Sequence, residues 1–71
     1  MTGYVTSMPS GKFFGFIKAG DREYFFHRAD YSGYWDDLRL LFDSRTKVEV
    51  EFEPVDSAKG PRAANVRRVD E

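Results

Sequence analysis

The sequence predicts an all-β fold, a five-stranded antiparallel barrel with a short helix or helical turn between the third and fourth strands. Two observations carry the strands. Residues 47–53 alternate without a break, with Val48, Val50 and Phe52 on one face and Glu49, Glu51 and Glu53 on the other, the period-two pattern of a half-buried strand. Residues 12–18 and 23–27 are two aromatic-rich runs joined by a short link containing Gly20-Asp21, which predicts an antiparallel hairpin. A third observation carries the helix: between residues 35 and 42 the apolar spacing lengthens to three and four, at Trp35, Leu38, Leu41 and Phe42.

In chain order, residues 3–8 form a first strand that stops at Pro9-Ser10-Gly11, a strong turn signal. Residues 12–18 and 23–27 are the second and third strands. The helix runs from about 35 to 43, with Ser32 as candidate N-cap. Asp36 and Asp37 fall in its first turn, where the helix dipole favours acidic side chains. Leu38, Leu40, Leu41 and Phe42 plug one end of the barrel. The fourth strand is 47–53, residues 54–61 are a loop, and the last strand is 62–69 with Ala64 and Val66 inward. Five short strands with a helical element between the third and fourth describe an OB-type barrel. At 71 residues the chain is one domain, 1–71, near the lower limit for a self-sufficient core.

The second strand carries the functional signal. Alternation puts Phe14 and Phe16 on one face together with Lys12 and Lys18, and sends Phe13 and Ile17 to the other. The opposite assignment would bury two lysines without partners, which is costly. On the third strand Phe25 and His27 share a face, so Phe14, Phe16, Phe25 and His27 form one outward platform. Rings of this kind stack on bases, and ammonium groups beside them meet phosphates. Arg28, next along, is suited to stacking by its guanidinium plane or to holding a phosphate.

Composition narrows the classes. There is no cysteine, hence no disulfide or thiolate–metal site. With one histidine, no phosphate-cradling glycine loop and no paired carboxylates at ligand spacing, the sequence predicts neither an enzyme nor a metal or small-molecule cofactor site. The net charge of −1 disfavours nonspecific duplex binding, which depends on phosphate neutralisation. It disfavours single-strand binding less, because stacking supplies much of that energy. No signal peptide or membrane span is visible, so a cytoplasmic protein that does not enter membranes is expected.

The chain resembles the bacterial cold-shock domain. Lys12-Phe13-Phe14-Gly15-Phe16-Ile17 is similar to that family's first ribonucleoprotein motif, usually Lys-Gly-Phe-Gly-Phe-Ile, and Tyr24-Phe25-Phe26-His27 to the second. Lys59-Gly60-Pro61-Arg62-Ala63-Ala64-Asn65-Val66 matches the final turn and strand, and Gly3 and Val5 fit the opening. The resemblance implies a five-stranded barrel whose exposed aromatics stack on single-stranded RNA or DNA. By position it makes Phe14, Phe16, Phe25 and His27 the stacking residues and Lys12 and Lys59 the cations.

The chain also departs from that pattern. Ser7 stands where the family has a tryptophan, Thr6 where it has a lysine, Arg28 where it has an aromatic, and Phe13 where it has a glycine. Residues 39–46 form a longer segment than is usual. Weaker binding or a shorter footprint is expected. Trp35 has two readings: an additional ring at the edge of the binding face, as the family's loop aromatic would be, or the first member of the helix stripe, capping the barrel. The sequence thus predicts a monomeric single-strand binder of low sequence preference, acting as an RNA chaperone or a regulator of transcription or translation. The alternative is a barrel repurposed for protein binding through the aromatic face or the 35–42 segment.

Overall fold

The computed structural model describes residues 1–69; the last two positions of the predicted 1–71 domain lie outside the described residues. The strands are β1 (Thr2–Ser7), β2 (Phe14–Ala19), β3 (Arg22–His27), β4 (Glu49–Ser57) and β5 (Gly60–Arg68). A 3₁₀ turn (Arg28–Asp30) and helix α1 (Trp35–Asp43) lie between β3 and β4. The strands close into a barrel in the order β1-β2-β3-β5-β4. No helix among the described residues is long and apolar enough to cross a membrane.

The predicted five-stranded barrel with a helix after the third strand is present. One detail of strand direction differs. Four seams are antiparallel, while β3 runs parallel to β5 through Phe25 opposite Arg62. A ring of five strands cannot alternate direction all the way round, so one seam of an otherwise antiparallel closed sheet has to be parallel.

Burial follows alternation on most strands. Ile17, Tyr24, Phe26, Val48, Val50 and Phe52 are all buried. Two places break the period. On β1 the pairing shifts between Val5 and Ser7, and Val5 and Met8, three apart, both reach the core. On β5 the partners shift between Glu51 and Glu53 of β4, Asn65 adopts a left-handed φ of 51°, and Ala63 and Val66 are the buried pair. Each is a bulge in which an extra residue turns a step of two into a step of three. Ala64, expected inward by strict alternation, is for this reason only half-buried.

The predicted loop at 54–61 is largely strand, because β4 and β5 continue as a ribbon to the Ser57–Gly60 pair. Pro54 is tolerated for a geometric reason. The Phe52 N–H points toward the first strand's side and donates to the Met1 carbonyl at 2.8 Å. Residues two apart point the same way, so the donor that Pro54 lacks would have faced the open edge, where nothing needs it.

Helix α1 has the predicted span and buries Trp35 and Leu38 against the barrel, with Leu41 and Phe42 partly buried. Leu40 is exposed. Ser32 is not its cap. Tyr34 holds that position without a side-chain bond, and the Ser32 N–H donates to Val66 on β5 at 2.9 Å. At the other end the Arg45 N–H donates to Phe42 and the Thr46 N–H to Leu41, with Arg45 at φ 63°. This is a Schellman stop built on a non-glycine residue.

Gly15 sits where β2 passes close to β1. A Cβ there would lie 2.7 Å from the Ser7 carbonyl oxygen, 3.0 Å from Phe26 and 3.2 Å from Met8. Gly15→Ala is expected to destabilise the domain by about 1–3 kcal/mol through overpacking, read as a lower denaturation midpoint. An unchanged midpoint would show that this contact relaxes freely.

Candidate nucleic-acid interface

Strand β2 places Phe14 and Phe16 on the outer face, and pairing with β3 sets Phe14 beside His27 and Phe16 beside Phe25. The three phenylalanine rings touch one another. Their centroids are 5.5 Å apart for Phe14–Phe25, 5.8 Å for Phe16–Phe25 and 6.1 Å for Phe14–Phe16. Each is half-buried by the others, with part of its surface open to solvent. Mutual contact at these separations fixes the ring orientations before any ligand arrives.

His27 is exposed and also ends the strand. Its Nδ1 accepts the Ala29 N–H at 3.2 Å, and its own N–H donates to Asp30 Oδ2 at 3.0 Å. With Nδ1 used as an acceptor, the neutral ring carries its proton on Nε2, which leaves a donor directed away from this turn. Asp30 Oδ2 also takes the Arg62 guanidinium at 2.9 Å. That ion pair holds Arg62 with its guanidinium carbon 5.9 Å from the centroid of the Phe25 ring. The cap at the end of β3 thereby positions a cation contributed by β5.

Lys59 comes to the same place from the β4–β5 turn. Together with Phe16, Phe25, Ser57, Gly60, Pro61 and Arg62 it lines a cavity of about 400 Å³, within the range of small-ligand sites. Arg62 was not among the residues singled out from the sequence. The Lys59-Gly60-Pro61-Arg62 run was visible, but nothing in it indicated that the β3–β5 seam would set Arg62 opposite Phe25.

The remaining candidates are spread more widely. Lys12 is exposed on the loop before β2, where its N–H closes a turn to Pro9 at 3.2 Å. Lys18 is exposed on the outer face of β2, but at the far end, paired across the sheet with Glu23 and Tyr4. Arg28 lies with its guanidinium carbon 5.1 Å from the Phe13 ring centroid, and its N–H donates to the Phe13 carbonyl at 2.9 Å. Phe13 itself is 54% exposed and does not follow Ile17 inward as alternation predicted. The interior beside Gly15 is taken by Met8 and Phe26, and β2 begins only at Phe14.

Trp35 is 6% exposed, with its ring 5.5 Å from Phe26. Of its two readings, the structure shows the barrel plug. Trp35 emission is therefore expected to stay unchanged when a short oligothymidine binds the three-ring face, with binding followed independently by anisotropy of a labelled strand. Strong quenching that vanishes in Phe14→Ala would place the indole at the ligand instead.

Comparison with curated proteins gives no match. The family model for the "Cold-shock" DNA-binding domain matches residues 1–69, which takes in all five strands, the three-ring face and the Lys59–Arg62 turn. The chain belongs to this family of nucleic-acid-binding barrels.

Proposed function

We propose that this domain binds single-stranded RNA or DNA as a monomer, by base stacking on Phe14, Phe16, Phe25 and His27 with phosphate contacts from Lys12 and Lys59. Lys18 and Arg28 extend the cationic border. Sequence preference along the three-ring face is low, because every base has a face that can stack. The role that follows is that of an RNA chaperone or a regulator of transcription or translation. The observation that supports this reading is the cluster of mutually contacting phenylalanine rings on an outer sheet face, beside the cavity lined by Lys59 and Arg62.

Bases have to leave a duplex before they can stack on these rings. A short oligothymidine is therefore expected to bind more tightly than a duplex of the same length. Three rings at about 1–3 kcal/mol each give a gross gain of about 3–9 kcal/mol, before ordering costs reduce it. With about two to four phosphates neutralised, log K should fall against log salt with a slope of about −1.4 to −2.8. Equal or tighter binding to duplex would refute the single-strand reading. A slope near zero would point to a partner that is not a polyanion, as expected if the face docks a protein.

A further inference from the structure

Next to His27 in the chain, Arg28 and Ala29 line a cleft of about 390 Å³ together with Tyr31, Gly33, Tyr34, Asp36 and an edge of Trp35. Arg28 stands at its edge, next in sequence to the platform residue His27 and against the exposed Phe13 ring. Contact with the ring, 5.1 Å from the guanidinium carbon to the ring centroid, gives the guanidinium a resting place. The cleft thus has a positioned cation on one side, and Asp36, exposed in the first turn of α1, supplies a carboxylate.

The two side chains make opposite demands. Arg offers only donors, in a planar fork, and an ionised Asp offers only acceptors. A phosphate suits Arg28 but is repelled by Asp36. Adenine presents an amino donor beside its N7 acceptor, so it cannot give a fork two acceptors on that edge. Thymine's two acceptors, O2 and O4, lie either side of its one N–H, so it gives Arg28 no adjacent pair and Asp36 a single donor. Cytosine gives Arg28 its N3 and O2 but Asp36 only its amino group. Guanine has O6 and N7 side by side as acceptors, and on its adjacent Watson–Crick edge it carries the N1–H and N2–H donors. It is the base that satisfies both partners in pairs.

We propose that the Arg28–Asp36 cleft takes one guanine at the end of the bound strand, giving a face of low preference one selective position. This rests on the reading that the aromatic face binds a single strand. The test compares an oligothymidine of about four nucleotides with the same strand extended at its 5′ or 3′ end by dG, dA, dT or an abasic unit. At one of the two ends, dG is expected to bind about fivefold or more tightly than dA, the lower bound for one bidentate base contact. Replacing that dG by 7-deazaguanine, which lacks N7, or by inosine, which lacks the N2 amino group, should each remove part of the gain. Arg28→Lys keeps the charge and loses the fork, and should cut the dG advantage below about twofold. Asp36→Ala should do the same without weakening binding of the unextended oligothymidine. Thermal melts establish that both variants are folded.

Equal gains from all four extensions, the abasic unit included, would mean a backbone phosphate contact and overturn the guanine assignment. No gain from any extension would mean that the cleft takes no nucleotide. Both results leave oligothymidine binding, and the reading beneath it, intact. Failure of the wild-type domain to bind oligothymidine at all would remove that reading and this one with it.

Discussion

Phe26→Ala is expected to take the domain to the edge of unfolding. The ring is fully buried, lies 5.5 Å from Trp35 and fills the interior against the Gly15 backbone. Deleting it costs about 3–5 kcal/mol. At about 0.05–0.15 kcal/mol per residue, a chain of this length has only about 4–11 kcal/mol in total. Each kcal/mol is about 4–8 °C in a domain of this size, so the midpoint should fall by at least about 12 °C, or the transition should disappear from a thermal scan. Phe52→Ala, which removes a ring 5.0 Å from Tyr24, should behave alike. If Phe14→Ala melted lower than Phe26→Ala, the inner and outer faces of the sheet would be exchanged.

The second large effect is on binding. Phe16→Ala or Phe25→Ala should weaken the complex with oligothymidine by about 1–3 kcal/mol each, roughly five- to 150-fold in Kd. Both rings also line the cavity together with Lys59, so their loss should also unsettle the phosphate contact proposed for Lys59. The rings touch, so double substitutions should not add: removing Phe14 and Phe25 together should cost less or more than the sum, by the coupling that contacting residues show. Anisotropy titration of a labelled strand gives these numbers. Leu40→Ala, on the exposed face of α1, is the matched control and should change nothing. An equal loss in that variant would show that binding does not occur on the aromatic face.

What could be read from the sequence was whatever a simple period controls. Trp35, Leu38, Leu41 and Phe42 gave the helix its span, and Val48, Val50 and Phe52 gave β4 its inner face, because one rule of spacing decides all of them. The misses fall where that rule is interrupted. The bulges at Val5–Ser7 and around Asn65 insert a residue and exchange Ala64 for Ala63 in the core. Pro54 and Pro61 suggested a loop, since a proline's lack of a donor is harmless only where an edge is open, and edges are a property of the assembled sheet. Phe13 was assigned inward by parity and lies outside, since β2 begins only at Phe14 and the strand's alternation does not reach it.

The candidate interface was legible to the same degree. Phe14, Phe16, Phe25 and His27 follow from two adjacent strands and their turn. Arg62 required the parallel β3–β5 seam, which joins segments more than thirty positions apart, and the Asp30 carboxylate that orients it. Trp35 was open to two readings because a tryptophan suits both a stacking edge and a core, and only its 6% exposure separates them.

That parallel seam also bears on how the barrel opens and closes in time. Three of the five seams lie within hairpins and form between near neighbours along the chain. β1–β4 and β3–β5 have to wait until the 2–27 meander meets the 49–68 ribbon, and the loop entropy of that meeting is lost before the contacts repay it. The β3–β5 seam is also thin, with Phe25 opposite Arg62 and the single bridge of Tyr31 to Val66 beyond it. A nucleic-acid strand lying from Phe16 and Phe25 across to Lys59 would span this junction from outside. Such a ligand recognises the closed ring and not the separated halves, so it draws the population toward closure. If its contacts are absent from the transition state, it lengthens the lifetime of the folded ring by slowing its unfolding. The polymer that the barrel holds would then be, for as long as it stays, one of the things that holds the barrel.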